Sequence, residues 1–171
     1  MALNLNSLKL NLSRTFPIFL LYFLSMTEID TEFSNLFEIL SFNLQLIIIY
    51  YWMNKNPTTL GNGHIFASGI INDVIMGLPL GTSALSYLVV SFVASYFSQV
   101  TVNTSLFTDW VTFLIAVFCS NVTYLILIIN FTEQTYTYSN IFYNSFFTFL
   151  FYPVFWLIFN IYKSIFNLKN E

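Results

Sequence analysis

The sequence predicts an all-α integral membrane protein: six transmembrane helices in one compact bundle, with both termini cytoplasmic. Three observations carry that prediction. Of 171 residues, 57% are hydrophobic and only 8% charged, against roughly 25% charged in soluble domains, and mean hydropathy is +0.71. Apolar runs of membrane-spanning length recur between short polar segments. The basic residues follow a strict alternation along those segments, set out below. Aromatic residues make up 20%, with 21 Phe and 11 Tyr, which suits lipid-facing helices with interfacial belts.

The chain opens with a polar stretch holding Lys9 and Arg14, then an apolar run from Thr15 to Met26. Twelve residues of helix span about 18 Å, short of a hydrocarbon core of about 30 Å. The first span is therefore read as 10–26, with Arg14 snorkelling to the interface. No small-x-small site follows the run, as a cleaved signal peptide would require. An acidic loop with Glu28, Asp30 and Glu32 leads to a second span, 36–53, closed by Tyr50-Tyr51-Trp52 as an interfacial belt. Asn54 to Leu60, with Lys55 and Pro57, reads as a loop. The third span is 61–78 and the fourth 80–97, where Ser91, Ala94 and Ser95 make a small-residue face. The fifth is 106–129, with Asp109 and Trp110 near its start. The sixth is 141–162, interrupted by Pro153.

With the amino terminus inside, the inner segments are 1–14, 54–60, 99–105 and 163–171. They hold Lys9, Arg14, Lys55, Lys163 and Lys169, all five basic residues of the protein. The outer loops hold Glu28, Asp30, Glu32 and Glu133 and nothing basic. Were the third segment only a re-entrant loop, the last two lysines would fall outside, so six crossings fit better. The lipid bilayer is the protein's environment, and loops this short leave no room for a soluble domain.

All five glycines and the only histidine fall within Gly61–Gly81. Gly69, Asp73 and Gly77, at i, i+4 and i+8, share one slowly drifting helix face. That face forms a small-residue seam for close helix contact. Gly77-Leu78-Pro79-Leu80-Gly81 reads as a tight turn, with Pro79 helping to start the next helix. Gly69, Asp73, Gly77, Pro79 and Gly81 are thus the candidate packing and turn motif. A carboxylate inside an apolar helix costs about 2.5–3.5 kcal/mol on insertion scales, so Asp73 needs a partner. The amides opening the fourth helix, with the hydroxyls of Thr82 and Ser83, are the expected one. Proton or ligand binding and direct contact with a partner protein are the competing roles.

His64 reads as wetted at the membrane edge, and Asn121 and Asn144 as hydrogen-bonding between helices. Cys119 reads as a small core residue; alone, it excludes an internal disulfide. No nucleophile–base pair, metal-ligand spacing, phosphate loop or basic nucleic-acid patch is evident. The protein is expected to have no enzymatic activity, cofactor, metal, nucleic-acid partner or small-molecule substrate.

Phe66-Ala67-Ser68-Gly69-Ile70-Ile71-Asn72-Asp73, then Gly77, Pro79-Leu80-Gly81 and Ala84-Leu85, resemble the rod shape-determining protein MreD family. Tyr51-Trp52 closing the preceding span and Pro153 among Tyr152, Phe155 and Trp156 extend the likeness over roughly residues 36–163. Two departures stand out: Phe37-Glu38 occupy the place of the family's proline and polar residue, and the first span resembles nothing distinctive. The resemblance implies a non-catalytic subunit of the cell-wall elongation (rod) complex in the bacterial inner membrane. Its implied partners are the bitopic scaffold MreC and other elongation and peptidoglycan-synthesis proteins, and its implied role is maintaining cell shape. The rival reading is a small-molecule capture subunit of an energy-coupling-factor-type transporter. Such subunits carry a small-residue stripe in the first span, where Phe16 to Met26 offers only Ser25.

Overall fold

Residues 5–27, 43–101, 105–131 and 138–165 are described by a computed structural model, and no strand occurs among them. The described residues form seven helices: α1 (Leu5–Met26), α2 (Leu44–Lys55), α3 (Pro57–Leu60), α4 (Asn62–Ile75), α5 (Thr82–Val100), α6 (Leu106–Phe131) and α7 (Tyr138–Ile165). Helices α5, α6 and α7 are long and apolar enough to cross a membrane, and Thr15–Met26 of α1 forms a shorter apolar segment. This is a membrane protein.

The distribution of side chains says the same. Phe92, Phe107, Phe118, Ile129, Phe142 and Ile161 point outward, each more than half exposed, whereas Asn72, Asp73, Asp109, Ser120 and Thr148 lie inside. Water would favour the reverse arrangement; hydrocarbon favours this one, because polar groups there must find partners within the protein.

Helix α2 is the axis of the bundle. Every residue from Leu46 to Asn54 is buried. An apolar helix without a polar face must be covered all round, and α1, α5, α6 and α7 cover this one. Tyr50, Tyr51 and Trp52 are therefore core residues and do not form the expected interfacial belt. Tyr50, Phe113 and Tyr152 form an aromatic triad with centroids 4.4–5.7 Å apart, and Phe159 packs on Tyr51 and Trp52. The helix starts where the Asn43 side chain accepts from the Leu46 amide at 3.2 Å. That N-cap satisfies one of the unpaired amides of the first turn. Residues 36–42, the rest of the expected second span, lie outside the described residues, as do Glu28, Asp30, Glu32 and Glu133.

Contacts fix the helix directions. Helices α2 and α7 run parallel: Asn43, which caps α2, bonds Thr148, Tyr51 bonds Asn160 farther along both, and Asn56 bonds Lys163 at the far end. Helix α6 opposes α2, since Lys55 meets Asp109 while Tyr50 meets Thr112. Helix α1 opposes both α2 and α7, with Ser25 near Gln45 and Phe16 stacked on Tyr162. Helices α4 and α5 form an antiparallel hairpin, and Ser120 of α6 bonds the Ser86 carbonyl of α5.

Two expected breaks in the helices are absent. Asn54 and Lys55 still belong to α2, and Pro57 opens the one-turn α3, so 54–60 is largely helical. Pro at the first helical position loses no bond. Helix α7 runs through Pro153 without interruption. A proline inside a helix orphans the carbonyl four residues earlier, which here belongs to Phe149. The Trp110 indole of α6 donates to that carbonyl at 2.9 Å. The bond that Pro153 cannot make is supplied from the neighbouring helix.

Candidate functional site

The α4–α5 hairpin is closed by Asp73. Its Oδ2 accepts the Gly81 amide at 2.8 Å and its Oδ1 the Ser83 amide at 2.7 Å. Asp73 is fully buried. The Asp73 carbonyl also accepts the Leu78 amide at 2.9 Å, the six-to-one bond of a Schellman ending. One residue thus ends α4 with its backbone and begins α5 with its side chain. The amides of the opening turn lack intrahelical partners and carry the positive end of the helix dipole, so a carboxylate is well matched there.

The expected partner of Asp73 is therefore the observed one, with one adjustment. The hydroxyls do not join in: Thr82 Oγ1 donates to the Pro79 carbonyl at 2.7 Å, and Ser83 Oγ accepts from Asn72 Nδ2 at 3.0 Å. Pro79 lies before the Gly81 N-cap and does not form the first turn of α5. What it provides is the carbonyl that Thr82 uses.

Gly69 is the contact point of the hairpin. A Cβ added there would lie 2.3 Å from Ala84 Cα and 2.6 Å from Ala84 N. Only a hydrogen fits between the two helices. Gly77 does not extend that seam as expected. It lies beyond the end of α4, at φ 63°, and a Cβ there would meet nothing within 4 Å. Its role is conformational, because the turn requires a left-handed residue where glycine carries no steric penalty. Gly81, at φ 100°, is needed for the same reason.

Beside the clasp runs a chain of neutral polar groups. Tyr87 Oη donates to Gln45 Oε1, Gln45 Nε2 donates to Asn72 Oδ1 at 3.2 Å, and Asn72 passes the chain to Ser83. Gln45 also reaches Ser25 Oγ of α1 at 3.5 Å. This network borders a cavity of about 430 Å³ among α2, α4, α5, α6 and α7.

A second buried acid organises the opposite end of the bundle. Asp109 Oδ2 pairs with Lys55 Nζ at 2.7 Å and accepts the Trp156 indole at 2.9 Å. Its Oδ1 accepts Asn54 Nδ2 at 3.0 Å. In the sequence Asp109 stands out only as an acid near the start of the fifth span. Its partners belong to α2 and α7, and only its position in the first turn of an apolar helix hinted at a buried acid. Among the described residues, no group of three or more His, Cys, Asp or Glu side chains is arranged to hold a metal ion.

Comparisons with protein-family models, curated proteins and solved structures find no match.

The remaining candidates sort themselves by position. His64 is exposed, and its Nδ1 hydrogen-bonds the Tyr22 hydroxyl at 3.2 Å. Asn121 bonds between helices as expected, Nδ2 to Ser145 Oγ at 2.7 Å, and one contact of Asn144 is with Thr148 of its own helix, from which it accepts at 3.4 Å. Ser91 and Ala94 are buried against neighbouring helices, and Ser91 donates to Asn62 Oδ1 at 2.7 Å. Cys119 is a free thiol, half-buried where a core position was expected.

Proposed function

We propose that the chain is a non-catalytic subunit of the bacterial cell-wall elongation machinery. It crosses the inner membrane six times and binds an MreC-like bitopic scaffold. The observation that carries this reading is the hairpin. The residues that resemble the MreD family, from Phe66 to Asp73 and on to Ala84, are the ones that build its contact and its clasp. The two buried carboxylates among the described residues are spent on structure, Asp73 on backbone amides and Asp109 on Lys55, Asn54 and Trp156. A rigid bundle with an apolar exterior is suited to docking another membrane helix by packing.

The alternating helix directions support the six crossings. Lys55 and Lys163 lie at the same end of the bundle, in keeping with an inner end rich in basic residues. The α4–α5 turn then faces outward and both termini face the cytoplasm. Elongation proteins that associate through membrane helices would meet the exposed apolar faces of α6 and α7.

Affinity capture of the natively tagged chain from gently solubilised membranes tests the assignment. Co-purification of a bitopic scaffold and peptidoglycan synthases is expected. Recovery of transporter ATPases in their place would overturn it.

A further inference from the structure

We propose that the cavity beside the Asp73 clasp is a binding site for a neutral, hydroxyl-rich molecule, either a small sugar or the sugar headgroup of a glycolipid. Its volume, about 430 Å³, falls within the range of roughly 300–1,000 Å³ of small-molecule sites. Its lining is unusual for a membrane bundle. Five carboxamides meet there, Asn43, Gln45, Asn72, Asn121 and Asn144, drawn from α2, α4, α6 and α7 and the residue that caps α2. Three serines and two tyrosines, Tyr87 and Tyr124, complete the polar part. Helix packing alone needs no such concentration, because isolated interhelical bonds of this kind average only about 0.6 kcal/mol each.

No Asp, Glu, Lys, Arg or His is among the described residues that line the cavity. Asp73, next to Asn72 of the lining, already has both oxygens on backbone amides. A charged ligand would find no counter-charge among these described residues, and desolvation without one is costly. A neutral one loses only hydrogen bonds that the lining can replace.

The hydrogen-bonding pattern narrows the class. Carboxamides present donors and acceptors side by side, and hydroxyls can do either. Such a lining matches a ligand whose own groups both donate and accept, as sugar hydroxyls do. Leu46, Met76, Leu78 and Ile141 supply apolar surface, which suits the C–H faces of a sugar ring. The chain Tyr87–Gln45–Asn72–Ser83 fixes the orientation of one wall, so part of the ordering cost is met before binding.

The test uses the full chain in a detergent that has no sugar headgroup. Glucose, N-acetylglucosamine and myo-inositol are titrated by saturation-transfer NMR, with glucose 6-phosphate and glucosamine as charged counterparts. Native mass spectrometry of nanodiscs containing monoglucosyl diacylglycerol examines the lipid source. Saturable binding of a neutral sugar, a glycolipid or both is expected, with charged counterparts at least about tenfold weaker. Asn144→Leu, which replaces an amide of the lining by an apolar group of the same shape, should weaken binding about tenfold or more, and Tyr124→Phe about fivefold. Phe118→Leu, on the exposed face of α6, serves as the unaffected control. Binding of the free sugar alone assigns a soluble ligand, and binding of the glycolipid alone assigns a lipid. Absence of saturable binding in both arms, preference for a charged counterpart, or unchanged binding in both cavity variants would overturn the proposal.

Discussion

Gly69→Ala is the most economical test of the hairpin. The added carbon would lie 2.3 Å from Ala84 Cα, where ordinary contact begins at 3.4 Å. The opposing atom is backbone, so no rotamer change can relieve the overlap. Helices α4 and α5 must separate by about 1 Å, at a strain of about 1–3 kcal/mol. The same movement stretches the bonds from Asp73 to Gly81 and Ser83, now 2.8 and 2.7 Å. Lengthened by about 1 Å they pass the limit of useful hydrogen bonding. Bonds to a charged group contribute about 1.5–3 kcal/mol each, so the total loss should be about 4 kcal/mol or more. The assay is thermal unfolding of the detergent-solubilised protein, followed by size-exclusion fluorescence, with membrane abundance measured alongside. A fall of about 10 °C is expected, scaling from soluble domains of this size. Ala84→Gly should not rescue the variant, because it removes Ala84 Cβ at 3.0 Å and leaves the closer Cα and N in place. A Gly69→Ala protein that melts like the parent would refute the close-contact account.

The other perturbations reach different parts of the bundle. Gly77→Ala should cost only about 1–2 kcal/mol in the same melting assay, because its φ of 63° is strained for alanine but its surroundings are open. Trp110→Phe should destabilise by about 1–3 kcal/mol by leaving the Phe149 carbonyl unpaired. With Pro153→Ala the backbone regains its own donor, so the double variant should recover most of that loss; additive losses would argue against the shared carbonyl. Lys55→Met should cost about 3–5 kcal/mol, the penalty of unpairing the buried Asp109. Unchanged melting would show that Asn54 and Trp156 suffice. Reporter fusions after Asp30, Pro57, Val102, Thr135 and Glu171 should be external only at Asp30 and Thr135; an external carboxy terminus contradicts six crossings.

Local features of the fold were legible from the sequence, and features assembled from distant segments were not. The clasp could be read because an acid one turn before a Gly-Leu-Pro-Leu-Gly reversal has few amides within reach. The Gly77 role was misread because spacing alone does not distinguish a glycine needed for packing from one needed for a positive φ. Tyr50-Tyr51-Trp52 were misassigned because an apolar run without a polar face looks alike at a lipid interface and at the centre of a bundle. Pro153 suggested a break since the compensating donor, Trp110, belongs to another helix. Lys55 and Asp109 looked like unrelated edge charges for the same reason. The cavity was the least visible feature: each helix contributes only a few of its polar side chains, and they meet only when five helices are packed.

The most direct test of the central claim is complementation of cell shape by Asp73 variants, in a strain lacking the protein and with membrane levels measured in parallel. If Asp73 is a structural clasp in a non-catalytic subunit, Asp73→Asn keeps one acceptor for the Gly81 or Ser83 amide and loses the other. It should accumulate at somewhat reduced levels, melt lower by about 1–3 kcal/mol, and still support rod shape. Asp73→Leu, with no acceptor, should neither accumulate nor complement. A stable, fully abundant Asp73→Asn protein that leaves cells round would contradict the account, since it would show that the carboxylate does work beyond holding the hairpin.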